Sequence, residues 1–123
     1  VAPGAEGIAA DCDKNDVCKA HLKGLRNNTE YWRLEKGKTG SCAPYRAGCT
    51  SHEPVQGHGR GGTIKVIPSE FNDASAQTGR KVNSRIVLTH EMGHAYTDRL
   101  LPCLYLGEVC ASAFEDAARA AEP

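Results

Sequence analysis

The segment from Val82 to Leu101 constrains the fold more than any other, because it reads as one helix with almost no side left for water. At about 100° per residue, Ile86, Gly93, Ala95, Tyr96 and Leu100 cover most of its circumference, while Asn83, Val87, His90, Glu91, His94 and Asp98 share the remaining sector. Such a helix is central in its domain. Two buried imidazoles without partners are costly, so coordination or hydrogen bonding must satisfy His90 and His94. Gly93 is poor for helix stability and implies close approach by a neighbouring element. Pro102 supplies the stop.

Within that helix stands His90-Glu91-Met92-Gly93-His94. Residues four apart share a helix face, so both imidazoles can be offered to one Zn²⁺, with Glu91 beside them to hold and deprotonate a water. This is the donor set of an H-E-x-x-H zinc peptidase. A catalytic zinc needs a third protein ligand. The metzincin ending is absent, because Thr97 stands where its helix-breaking glycine should be and Leu100 where its last ligand should be. The other solution is a glutamate from a second helix. Glu108 and Glu115 both qualify and, seven apart, lie on nearly one face. A motif helix running six residues past His94 adds about 9 Å that an antiparallel return must climb, which suits Glu115. The stretch Leu101 to Gly107, extended, spans about 23 Å and brings Glu108 within reach, so geometry leaves both open. Asp98, one turn beyond His94, is placed to orient a ligand histidine or to pair with an arginine at the surface.

A chain of 123 residues predicts a single domain over 1–123 with a modest core. Fifteen Lys and Arg against fifteen Asp and Glu advertise neither nucleic acid nor an anionic membrane as partner. No apolar run is long enough to span a bilayer. The chain opens Val1-Ala2-Pro3-Gly4, which fits a mature product cut from a precursor; the expectation is a secreted, extracellular monomer. Six cysteines agree with an oxidising compartment. They fall into neighbouring couples, Cys12 with Cys18, Cys42 with Cys49 and Cys103 with Cys110, none of them the C-x-x-C of a zinc ribbon. Local pairing is expected, since each couple brackets a short non-helical stretch.

Residues 1–11 are small and featureless and read as a loose N-terminal arm. Helix-start chemistry at Asp13 to Asp16 predicts a helix near Asp16 to Arg26, with His21 packed against its apolar stripe. Thr29 to Leu34 reads as a strand. Lys36 to Gly62, rich in glycine, reads as a long loop stapled by Cys42 and Cys49. Its Gly57-His58-Gly59-Arg60-Gly61-Gly62 lacks the lysine and Ser/Thr of a phosphate loop and reads as flexible glycines leading into a strand at Thr63 to Ile67. Ser69 to Lys81 reads as a polar connection, and Glu108 to Ala121 as a closing helix. The sum is a small α+β domain with a small mixed sheet, stapled by disulfides.

Glu108-Val109-Cys110-Ala111-Ser112-Ala113-Phe114 looks like the E-x-x-A-(D/N/S)-x-F element that carries the metal-binding glutamate of many gluzincins. With Ile86 to Ala95 it resembles that class of zinc peptidases, and is particularly similar to small secreted bacterial members, including toxin and effector types. The resemblance covers about residues 57–118. It implies a minimal zincin-like domain binding Zn²⁺ through His90, His94 and Glu108, with Glu91 as general base. It also implies a substrate held in extended form along the strand above the motif helix, here Thr63 to Ile67. Tyr105, three residues before the proposed ligand, is the first candidate to donate to the oxyanion, and Tyr96 points away. The partner is then a protein or peptide substrate. The competing reading is a disulfide-stabilised binding or inhibitory module with a structural or vestigial zinc site.

Overall fold

The computed structural model describes residues 4–123. Its elements are α1 (Glu6–Cys12), α2 (Asp16–Arg26), β1 (Tyr31–Lys36), β2 (Gly48–Ser51), β3 (Gly61–Val66), α3 (Phe71–Thr78), α4 (Ser84–Thr97) and α5 (Gly107–Ala120), with a 3₁₀ turn at Pro68–Glu70. The three strands form one sheet in the order β1-β3-β2, with β1 parallel and β2 antiparallel to β3. The architecture is α+β with a small mixed sheet.

The α4 helix is the central element. Ile86, Val87, Leu88, Met92 and Gly93 are buried on its several sides against β3, β2, α1, α2 and α5. Asn83 caps its start by accepting from the Ile86 amide. Leu34, Ile64 and Val66 from the sheet meet Leu88 and Met92 on one side, while Leu22 and Leu25 of α2 join the same core. His21 is packed as expected, with its ring 4.7 Å from Phe114 and 5.7 Å from Tyr96.

The three disulfides are the local ones, Cys12–Cys18, Cys42–Cys49 and Cys103–Cys110. They agree with an oxidising, non-cytoplasmic setting. No helix is long and apolar enough to cross a membrane among the described residues.

Four expectations need correction. The loose arm over 1–11 is wrong from Glu6 onward: Ala5, Ile8, Ala9 and Cys12 recur at helical spacing and are buried, a stripe disguised by its small residues. Residues 1–3 of that arm lie outside the described residues. The loop over Lys36 to Gly62 contains β2, and the glycine run ending it is the turn of the β2–β3 hairpin, where His58 stacks on Tyr31 at 3.7 Å. The polar connection over Ser69 to Lys81 forms α3, which buries none of its residues and so shows no apolar period. The motif helix ends at Thr97 rather than Leu101, leaving Leu100 and Leu101 exposed in the following turns.

Candidate metal centre

Four pairings along α4 and α5 fix the site. Arg85 meets Glu122, His90 meets Glu115, Gly93 meets Ala111 and Phe114, and His94 meets Glu108, so α5 lies antiparallel to α4. A Cβ on Gly93 would lie 2.8 Å from the Ala111 Cα and 3.1 Å from Phe114 Cβ. Glycine here therefore permits the helix approach that carries Glu108 to the histidines. Because α4 stops three residues after His94, the return is short, and Glu108 rather than Glu115 reaches the outward nitrogens.

Glu108 Oε1 lies 2.8 Å from His94 Nε2, and Oε2 lies 3.3 Å from His90 Nε2. The three side chains each bring a ligand atom within 4.8 Å of the others. Ligand atoms at opposite ends of a tetrahedral edge around zinc, with bonds near 2.05 Å, sit about 3.3 Å apart. The two His–Glu108 separations lie near that edge, and two imidazole nitrogens with a carboxylate are a donor set that suits the ion.

The inward nitrogens fit it as well. His90 Nδ1 donates to Glu115 Oε1 at 2.8 Å, and His94 Nδ1 donates to Asp98 Oδ1 at 2.9 Å. A carboxylate behind each ring fixes the tautomer and leaves the Nε2 lone pair free for a metal. Glu115 is itself clamped by Arg119 Nε at 2.7 Å, and the His90 hydrogen bond with that of Arg119 holds its carboxyl down to about 2. Asp98 also pairs with His52 Nε2 at 3.2 Å. Burial works against charge on His90, but the Glu115 hydrogen bond and the surrounding carboxylates outweigh it, so its pKa lies above the ordinary value.

Glu91 is buried next to the cluster, where the Thr50 hydroxyl of β2 donates to its Oε1 at 2.9 Å. Burial raises its pKa against the lowering effects of His90 and the Thr50 hydrogen bond. A carboxyl raised in this way is a stronger proton acceptor than a surface glutamate. Tyr105 is 80% exposed on the cleft wall it shares with His94 and Glu108, and its hydroxyl has no hydrogen-bond partner among the described residues. Tyr96 turns away, donating to the His21 carbonyl at 2.7 Å.

The strand expected to hold substrate is misplaced. β3 is the middle strand, so both its edges are taken, and the open edge over α4 belongs to β2. Gly48 makes that approach possible, since a Cβ there would lie 2.7 Å from Val87 Cγ1 and 3.1 Å from Glu91 Cγ. The Ile67 amide donates to the Ala47 carbonyl, which places Ala47 opposite Ile67 in a hydrogen-bonded pair. By alternation Cys49 and Ser51 face β3, and the main-chain groups of Gly48 and Thr50 face outward beside Glu91. Thr50 and β2 carried no signal in the sequence, because a four-residue strand with a glycine and a cystine shows no alternation.

No family model, curated protein or solved structure matches this chain.

Proposed function

We propose that the protein is a secreted zinc-dependent endopeptidase, a minimal zincin-like domain of the gluzincin kind. The observation that carries the reading is the convergence of His90 Nε2, His94 Nε2 and the Glu108 carboxylate, with a carboxylate behind each imidazole and Glu91 alongside. Zinc held by that set supplies a Lewis acid and a water whose pKa falls toward neutrality.

The chain's own residues do the rest. The outward main-chain groups of Gly48 and Thr50 pair with an extended peptide, which favours many sequences because the bonds go to backbone. Glu91 takes the proton of the attacking water and passes it to the departing amine nitrogen. Thr50 aims the Glu91 carboxylate for both transfers. The Tyr105 hydroxyl donates to the carbonyl oxygen as that oxygen gains charge.

The test is a metal titration combined with mass-spectrometric analysis of peptide cleavage. The protein should bind one equivalent of zinc and cleave peptides in a chelator-sensitive way, whereas Glu91→Gln should keep the zinc and lose cleavage. Hydrolysis surviving in Glu91→Gln overturns Glu91 as the base, and failure to bind zinc overturns the whole reading.

A further inference from the structure

The cleft on either side of the His90–His94–Glu108 cluster is chemically unequal. At the His94 end its wall is the turn from Cys103 to Leu106 with the first residues of α5, where Leu104, Leu106 and Val109 are exposed, and the nearby Arg99 is already engaged by Glu30 and the His52 carbonyl. At the His90 end lies a hollow of about 550 Å³ whose walls include Val82, Ile86 and Val87 together with Arg46, Arg80 and Arg119.

The acids lining this hollow are Glu91, Glu108 and Glu115, and each has a partner already described. The arginines are less fully used. Arg119 spends Nε on Glu115 and Nη1 on the Lys81 carbonyl. Arg80 reaches acids only at 3.8 Å to Glu115 and 3.4 Å to Asp116. Arg46 makes no ion pair and no side-chain hydrogen bond among the described residues. It is presented by a turn in which Ala43 and Tyr45 both adopt positive φ, at 127° and 65°, immediately before β2. Unspent guanidinium donors above an apolar wall favour a group with an aliphatic stem and an anionic end.

We propose that this hollow is a carboxylate pocket, that Arg46 and Arg80 are its specificity-determining residues, and that the substrate class is a peptide bearing an acid group just after the scissile bond. The proposal rests on the peptidase reading above. Antiparallel pairing, the more stable kind, makes a peptide on β2 run from the Ser51 end toward the Gly48 end. Residues after the cut therefore arrive beside Ala47 and Arg46, and residues before it pass over Leu104, Leu106 and Val109 at the other end. The carboxylate can belong to a Glu or Asp side chain or to the free C-terminus of a short peptide.

The experiment uses quenched fluorescent peptides with Glu, Gln or Lys in the two positions after the cut and amidated ends, alongside peptides that terminate there in a free carboxylate. On the zinc-loaded protein, the Glu peptide should be preferred to the Gln peptide by about ten-fold in kcat/KM, the worth of one charge-assisted hydrogen bond. Arg46→Ala and Arg80→Ala should each shrink that ratio, and Arg46→Glu should turn the preference toward Lys, which misfolding cannot do. Preference for the free carboxylate over internal Glu assigns the pocket to the chain terminus; the reverse assigns it to the side chain. Fluorescence anisotropy of the same sequences, carrying the fluorophore without its quencher, on zinc-loaded Glu91→Gln gives a readout without turnover. Equal binding of Glu and Gln peptides overturns the carboxylate pocket even if cleavage is seen. Arg46-dependent binding of the Glu peptide without any cleavage by the unsubstituted protein upholds the pocket and overturns the peptidase reading.

Discussion

Gly93→Ala tests the contact on which the proposed metal site depends, because two effects of known size oppose each other. Replacing a mid-helix glycine by alanine ordinarily stabilises by about 1 kcal/mol. Here the new Cβ would sit 2.8 Å from Ala111 Cα and 3.1 Å from Phe114 Cβ and Cγ. Carbon atoms rest about 3.5–4.0 Å apart, so α5 must retreat by roughly 0.7–1.2 Å where it crosses α4. Overpacking of that kind costs about 1–3 kcal/mol, and the backbone of Ala111 cannot swing aside as a side-chain tip can. The net expectation is a loss of about 1 kcal/mol and a Tm lower by about 3–5 °C. Glu108 lies less than one turn from Ala111 and moves with it, whereas metal bonds tolerate only about 0.2 Å. Zinc affinity should therefore fall by at least about ten-fold. Thermal unfolding followed by circular dichroism and a competitive chelator titration measure the two quantities. Gly7→Ala in α1 is the control: nothing lies within 4 Å of the added carbon, so it should raise the Tm. A Gly93→Ala protein as stable as its parent, with unchanged zinc affinity, would refute the close-approach argument.

Glu108 and Glu115 should separate cleanly in metal titrations. Glu108→Ala removes a donor atom and should abolish stoichiometric binding, while Glu115→Gln keeps a hydrogen-bonding side chain behind His90 and should weaken binding by about 10–100-fold. Acid titration of stability should expose Glu122, which accepts from Asn15, Asn83 and Arg85 and whose carboxyl is held down to about 2, chiefly by the Arg85 hydrogen bond. Since the folded pKa is depressed, this stabilisation is full above about pH 5 and is lost as pH falls toward 2. Urea unfolding across that range should show Glu122→Gln less stable than its parent at neutral pH and less dependent on acid.

Much of this arrangement is legible in the sequence, for identifiable reasons. α2 begins and ends where its capping and apolar stripe place it, and the central position of α4 follows from its nearly complete apolar circumference. The packing role of Gly93 was visible because glycine in a helix needs a reason, and Ala111 supplies one. The pairing of His94 with Asp98 follows from helical spacing alone. What escapes the sequence is whatever depends on neighbours distant in the chain. β2 exists because β3 and α4 flank it, and its Thr50 meets Glu91 only because the fold lays that strand over α4. The edge available to a peptide shifts from Thr63–Ile67 to Gly48–Ser51 for the same reason, since strand order is a property of the sheet and not of either strand. Arg46 looks like any exposed arginine until Arg80 and Arg119 are brought to the same hollow. α1 escaped because half of its buried stripe, Ala5 and Ala9, is alanine, whose contribution to hydropathy is small although its contribution to close packing is not.

The disulfides divide the labour of holding the molecule together. Each closes a loop with a sequence separation of only 6 or 7 residues, so the chain entropy each removes from the unfolded state is worth only about 2 kcal/mol. Their placement matters more than their sum. Cys42–Cys49 brackets the turn that presents Arg46 and leads into β2, and Cys103–Cys110 ties the turn after α4 to the first turn of α5, where Glu108 is 65% exposed. Neither of these two bridges belongs to the buried core, which is built by α1, α2, α4 and the inner faces of β1 and β3. A small domain has little core to lend to its surface. An exposed glutamate and a four-residue edge strand would otherwise pay for their fixed positions with conformational entropy, and a local covalent tie removes that entropy where the site needs it.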